Sequence, residues 1–175
     1  VYLVENLLDL ADCKDAADIT LINTVPSTGE VILSAIEHFR ALETVIFCGE
    51  PLAQHIVDRL YQKGMKRVYD LYGPSEDTVY STFALRALNG RANIGQPIDN
   101  TQVVIFNQAR QLVHDGAVGE LYLGGHGLSR GYWGRDDLTE AAFIDLEGKR
   151  LYQTGDLVRW GDINGQRRLL YIGRV

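Results

Sequence analysis

Leu71-Tyr72-Gly73-Pro74-Ser75-Glu76-Asp77-Thr78 gathers an aromatic ring, a hydroxyl and a carboxylate around an abrupt chain stop. The stop is Gly73-Pro74: glycine tolerates positive φ, while proline fixes its own φ and lacks an N–H. The octapeptide follows Arg67-Val68-Tyr69-Asp70, a short run that reads as a strand, so Ser75 and Glu76 fall at a strand's C-terminal end. In open α/β sheets ligands bind at that edge. Glu76 is a hard oxygen ligand suited to Mg²⁺, which usually takes one or two carboxylates beside substrate phosphates. The octapeptide equally fits an ordinary strand-to-loop turn with Glu76 in solvent. Asp156 is a second candidate carboxylate, although its Thr154-Gly155-Asp156 context alone reads as a turn. Cys48 would need an adjacent base to act as a nucleophile, and the sequence shows none; it reads as a small residue lining a pocket. Gly124-Gly125-His126-Gly127 lacks the G-x-x-x-x-G-K-[ST] pattern of a phosphate loop and reads as tight backbone packing after a strand.

The elements that position these residues follow from hydrophobic periodicity. Residues 1–12 carry Leu3, Val4, Leu7, Leu8 and Leu10 at roughly helical spacing, as a short helix or an extended lead-in. Residues 18–25 are apolar and β-branched, stopped by Pro26: a buried strand. Ser27 or Thr28 is placed to cap a helix over 29–41, where Val31, Ile32, Ala35, Ile36 and Phe39 recur at spacings of three and four. A strand over 44–48 ends at Gly49, a helix over about 53–63 ends at Gly64, and a third strand covers 67–71. Strand–helix–strand–helix–strand with short connections predicts a parallel βαβ lobe. It would turn Asn23, Cys48-Gly49-Glu50 and Asp70 to Glu76 toward one edge.

Beyond Thr78 the pattern changes to short β-type runs at 79–88, 103–106, 119–123, 157–160 and 168–172, separated by turns such as Asp115-Gly116 and Asn164-Gly165. One helix is expected near 138–143. The expected organisation is therefore α/β: a parallel lobe over 1–95, with 79–95 leaving it, then a mostly antiparallel, barrel-like lobe over 96–175.

Composition narrows the function classes. The 175 residues are 46% hydrophobic and 23% charged, a globular balance. With 17 basic and 23 acidic residues the net charge is −6, and no basic stripe exists to neutralise nucleic-acid phosphates. The two cysteines are far apart, which argues against a disulfide framework and for a reducing compartment, the cytoplasm. The four histidines form no ligand pattern. No apolar run approaches the roughly 20 residues that span a membrane. The sequence opens on Val1 in mid-pattern and stops two residues after Gly173, so it reads as a piece of something larger.

Tyr72-Gly73-Pro74-Ser75-Glu76 resembles the Y-G-P-[ST]-E motif of adenylate-forming enzymes, in particular the adenylation domains of nonribosomal peptide synthetases. Asn93-Ile94-Gly95-Gln96-Pro97-Ile98 resembles their I-G-x-P-I segment. Gly119 to Gly125, continuing to Leu128-Ser129-Arg130-Gly131-Tyr132-Trp133, resembles G-E-L-x-[IL]-x-G-x-x-[AL]-x-R-G-Y. Tyr152-Gln153-Thr154-Gly155-Asp156-Leu157 resembles Y-[RK]-T-G-D-L, and Tyr171-Ile172-Gly173-Arg174 resembles the Y-[IL]-G-R before the family's hinge. The motifs occur in the family's order.

The resemblance implies part of the large N-terminal core of such an enzyme. Activity would be ATP-dependent formation of an aminoacyl-AMP, then transfer to the phosphopantetheine thiol of a peptidyl carrier domain beside other synthetase domains. By matched position, Tyr72 resembles the aromatic that stacks on adenine, and Asp70 the residue beside its amino group. Ser75 resembles the α-phosphate contact and Glu76 the Mg²⁺ ligand. Asp156 resembles the acceptor of both ribose hydroxyls, with Tyr171 and Arg174 beside the ribose. Gly49, Glu50, Leu71 and Gly73 complete the implied nucleotide contacts, and Asn23, Ile46, Cys48, Leu71, Val79 and Tyr80 the implied acyl pocket. The family's lysine-bearing phosphate loop, the aspartate that holds the substrate amine and the lysine of the small C-terminal lobe have no counterpart in these residues, so the 175 residues alone are expected to be inactive. Rival readings are another adenylate-forming enzyme, such as an acyl-CoA synthetase or a luciferase-like protein, and a non-catalytic fragment.

Overall fold

A computed structural model of the chain describes residues 9–10 and 13–175. The helix or lead-in expected over 1–12 therefore lies, apart from residues 9 and 10, outside the described residues. The chain divides into two compact units, Val1–Asp70 with Leu85–Ala92, and Leu71–Ala84 with Asn93–Val175. The units interleave along the chain, whereas the sequence reading draws one cut after residue 95.

In the first unit, β1 (Leu21–Thr24) and β2 (Thr44–Cys48) pair in parallel, with Leu21 opposite Thr44 and Thr24 opposite Phe47. α1 (Gly29–Ala35) and α2 (Gln54–Gln62) bury their apolar stripes with one face of those strands: Ile32, Val45, Phe47, Val57, Leu60 and Val68 are all fully buried. The helix expected over 29–41 is shorter. It tightens into a 3₁₀ turn at Ile36–His38, and the chain leaves at Phe39, a common way for a helix end to satisfy its last carbonyls. The expected cap at Ser27 or Thr28 does not form. The Thr28 hydroxyl donates to the Val25 carbonyl at 2.7 Å, and Ser27 gives its N–H (2.8 Å) and hydroxyl (3.2 Å) to the Glu50 carboxylate. β3 (Arg67–Tyr72) starts in this unit and ends in the second.

β4 (Thr82–Leu85) returns against β3: the Ser81 N–H reaches the Tyr72 carbonyl at 2.8 Å, and the Arg86 N–H reaches the Val68 carbonyl at 2.9 Å. In the second unit β4 pairs antiparallel with β5 (Gln96–Pro97). A separate antiparallel sheet runs β10-β9-β7-β6, from β6 (Thr101–Phe106), β7 (Gly119–Gly125), β9 (Lys149–Ile163) and β10 (Gln166–Arg174). α3 (Asp136–Ala142) leads into β8 (Phe143–Leu146), which pairs with the first part of β9. Leu121, Leu123, Val158 and Leu169 fill one side of this sheet; Phe106, Tyr122 and Leu151 fill the other.

The expected α/β organisation holds at this level: one sheet containing a parallel pair and one separate antiparallel sheet. Details differ. The expected 79–88 run is a strand only over Thr82–Leu85, β5 and β8 were not anticipated, and the expected 157–160 run is the second half of a 15-residue strand whose first half includes Tyr152-Gln153-Thr154.

Candidate functional site

The Gly-Pro turn is built by close backbone approach. A Cβ on Gly73 would lie 2.5 Å from the Val79 carbonyl oxygen and 2.7 Å from the Ser81 nitrogen. Gly73 is not among the residues at positive φ, so the expectation that its φ freedom makes the turn is corrected: the missing side chain does. The positive φ belongs to Thr78 (φ 71°, ψ −82°), a strained conformation for a β-branched residue. The Thr78 hydroxyl donates to the Gly127 carbonyl at 2.7 Å, and a 3₁₀ turn over Ser75–Asp77 precedes it. Strain of this kind persists where the surroundings over-determine it, and it concentrates at functional sites.

That turn fixes Glu76. Its carbonyl accepts the Ser129 N–H at 2.7 Å, and its Oε1 accepts the Tyr132 phenol at 2.5 Å. Tyr132 in turn packs edge-on to Phe143, which contacts Tyr152. Burial pushes both phenols above the usual tyrosine range, and the Glu76 carboxylate adds to the shift. Glu76 is thus a half-buried carboxylate anchored by neutral donors, while Ser75 beside it is exposed.

Asp156 sits on a distortion of β9. Gln153 pairs with Tyr122 and Leu157 with Glu120, so Thr154, Gly155 and Asp156 together face Leu121. Gly155 absorbs the surplus with φ 72°, the behaviour of a β-bulge, which re-aims a side chain. The result is a buried Asp156, 6% exposed. The Tyr72 phenol donates to its Oδ2 at 2.5 Å, the Tyr171 phenol to Oδ1 at 3.4 Å, and Arg174 Nη1 lies 3.3 Å from Oδ1. Arg174 stands directly opposite Asp156 on β10, and the two tyrosine rings are 6.5 Å apart. Burial raises the Tyr72 phenol, and the bond to Asp156 raises it further; Tyr171 shifts the same way for the same two causes. The structure therefore brings Tyr72, Asp156, Tyr171 and Arg174 together in the second unit, and the Thr-Gly-Asp turn of the sequence reading is a bulge inside a strand.

In the first unit Asp70 is 6% exposed and Arg86 2%. Arg86 Nη1 bonds Asp70 Oδ2 at 2.6 Å and Nη2 bonds Gln54 Oε1 at 2.7 Å. Burial lifts the Asp70 carboxyl to about 6, against the opposing pull of the Arg86 charge. Asn23 and Ile46 are register partners, and Ile46 and Cys48 alternate with buried Val45 and Phe47, so the three share the sheet face away from that unit's core. Burial also raises the Cys48 thiol. Gly49 is exposed, with φ 91°, and Glu50 holds Ser27. In the second unit Leu71 and Tyr80 are half-buried and Val79 is exposed. No group of three or more acidic, histidine or cysteine residues arranged to hold a metal occurs among the described residues.

Sequence reasoning missed four side chains that hold these candidates: Arg86 on Asp70, Tyr132 on Glu76, and Glu120 and Thr154 on the bulge. Tyr132, Glu120 and Thr154 lay inside quoted motifs, which was the available signal. Arg86 lay in Ala84-Leu85-Arg86-Ala87-Leu88 with no pattern marking it as buried.

The AMP-binding enzyme family model matches residues 2–133. One of the linear gramicidin synthase subunits of Brevibacillus parabrevis is 41% identical over the whole chain, which spans 4% of that protein. Among solved structures, a four-domain nonribosomal peptide synthetase bound to AMP and glycine matches 97% of the chain and 13% of its own length, at 32% identity and TM-score 0.79. The Vibrio cholerae adenylation domain AlmE, in complex with glycyl-adenosine-5′-phosphate, matches 95% of the chain and 33% of its own length, at 28% identity and TM-score 0.79. The chain thus spans a small part of its curated relatives and about a third or less of these two structures. By the family match over most of its residues, it belongs to the AMP-binding enzymes.

Proposed function

We propose that the chain is part of an amino-acid-activating adenylation domain in nonribosomal peptide synthesis, a cytoplasmic ligase that forms aminoacyl-AMP from ATP and passes the acyl group to a carrier-domain phosphopantetheine. The observation that carries this reading is the convergence of Tyr72, Tyr171 and Arg174 on one buried carboxylate, Asp156. A carboxylate accepting two hydroxyls is a strong and orienting contact. The ribose hydroxyls replace the two phenols on Asp156, with Tyr171 and Arg174 beside them, and Tyr72 turns its ring to the adenine.

Ser75 contacts the α-phosphate and Glu76 takes Mg²⁺. One carboxylate suffices for an ion whose other ligands are substrate phosphates and water, and the Tyr132 bond fixes the Glu76 orientation. When bound, the ion supplies neutralisation of phosphate charge. The remaining work of these residues is positioning, which can account for much of such a barrier. Leu71 and Gly73 contact the nucleotide from the second unit. In the first unit, Asn23, Ile46 and Cys48 contact the acyl side chain, a reading supported by the pairing of Asn23 with Ile46 and by Ile46 and Cys48 sharing one sheet face.

Amino-acid-dependent ATP–pyrophosphate exchange by the full-length protein tests the reading. Exchange with an amino acid is expected. Exchange with fatty acids only would favour an acyl-CoA synthetase, and none with either would favour a non-catalytic role.

A further inference from the structure

The bulge that aims Asp156 is an energetic problem with a specific solution. Three residues of β9 face one residue of β7, so regular ladder bonds are lost there, and each freed N–H must find another acceptor. The Asp156 N–H finds Thr154 Oγ1 at 3.0 Å, and the Thr154 hydroxyl donates to the Leu121 carbonyl at 2.8 Å. The Gly155 N–H finds a side chain from the neighbouring strand, Glu120 Oε1, at 3.1 Å. Glu120 also takes Gln153 Nε2 on both oxygens, at 3.0 and 2.9 Å, and the Tyr122 phenol at 3.4 Å. One carboxylate therefore grips the residue before the bulge and the residue at its centre, and the donors it takes are neutral.

We propose that Glu120 is a positioning residue for nucleotide recognition: it locks the Thr154–Asp156 bulge and thereby holds Asp156 on the face where Tyr72 and Tyr171 meet it. Side chains alternate along a strand with period two, so a one-residue slip carries every side chain to the opposite face. Without the Glu120 acceptor, the Gly155 N–H regains a partner by re-pairing with β7, and the surplus moves along β9 and takes Asp156 out of register. The Asp156 carboxylate would then leave the phenols, and with them the ribose position. The inference rests on the reading of Asp156 as the acceptor of ribose hydroxyls.

The test compares the full-length protein's affinity for ATP and for 3′-deoxy-ATP by calorimetry, because their ratio isolates one ribose hydroxyl. A hydrogen bond to a charged group sets an expected wild-type preference for ATP of roughly tenfold or more. Asp156→Asn is expected to collapse that preference, and Glu120→Ala to collapse it likewise while 3′-deoxy-ATP still binds. Glu120→Gln keeps the shape and one acceptor but loses the charge, and charge-assisted bonds are roughly twice as strong as neutral ones, so its preference should fall part of the way. If Glu120→Ala fails to fold, Glu120→Gln decides: a wild-type preference overturns the proposal. Equal weakening of both nucleotides in the Glu120 variants also overturns it, since that is what general destabilisation produces. If Asp156→Asn collapses the preference and neither Glu120 variant changes it, only the Glu120 proposal falls. If Asp156→Asn keeps the wild-type preference, the ribose reading falls and the proposal with it.

Discussion

Asp70 and Asp156 are both buried aspartates, each 6% exposed and each facing an arginine. Their surroundings differ. In the first unit, the Arg86 side chain is 1% exposed and is held by Gln54 as well as by Asp70 at 2.6 Å. In the second unit, the Arg174 side chain is 72% exposed and stands 3.3 Å away, and the closest donor to Asp156 is a phenol. The first arrangement commits its charges to each other. The second gives its carboxylate two phenols and a solvated guanidinium as partners, the donors that the proposed reading has a ligand's hydroxyls replace. The same residue type is thus held by a buried charge in one unit and by phenols and a solvated guanidinium in the other.

The largest expected effect breaks the first arrangement. Arg86→Ala leaves Asp70 buried without its cation, and removing one partner of a buried pair costs about 3–5 kcal/mol. Urea denaturation of the full-length protein should show that loss. A change below about 1 kcal/mol would mean the pair is not committed.

Next comes Glu76→Gln, which keeps shape and removes charge. It should leave stability near wild type and lower amino-acid-dependent exchange by roughly 10- to 100-fold, the range for losing one hydrogen-bond-strength interaction with a charged group. The Mg²⁺ concentration needed for half-maximal exchange should rise; an unchanged Mg²⁺ dependence would remove Glu76 from the metal site.

A smaller effect follows from pH. The Asp70 carboxyl is lifted from 3.8 to about 6 on folding, chiefly by burial. The folded protein therefore binds a proton that the unfolded chain has released, and this contribution to stability is complete below about 3.8 and lost as pH rises through about 6. Denaturation midpoints measured across that window should show a downward component with rising pH, absent in Asp70→Asn. The smallest effect is Arg174→Ala: its side chain is 72% exposed and 3.3 Å from Asp156, which keeps both phenols, so its thermal midpoint should stay close to wild type, in contrast to Arg86→Ala.

Much of this was legible in the sequence for identifiable reasons. The β-branched run before Pro26 and the stripe Ile56, Val57, Leu60 announced β1 and α2 because burial imposes a period on each. The ordered motifs pointed to the family, and Tyr72, Asp156, Tyr171 and Arg174 came together in space as a group. Three features were not legible. Thr-Gly-Asp looked like a turn because a glycine at positive φ serves a turn and a strand bulge alike; the side chains of another strand decide between them. Gly73 was assigned to φ freedom, while its role, room for the backbone of residues 79–81, depends on where the chain returns. Arg86 carries no local sign of burial, because its partner lies 16 residues away.

In the proposed reading, Asp156 holds its phenols as stand-ins for a nucleotide's ribose hydroxyls. The most direct measurement is calorimetric titration of AMP into the full-length protein and its Asp156→Asn variant, with thermal midpoints recorded for both. Affinity at least roughly tenfold weaker is expected in the variant, the loss for hydrogen bonds to a charged acceptor, with a nearly unchanged midpoint. Equal AMP affinity in the two proteins would contradict it.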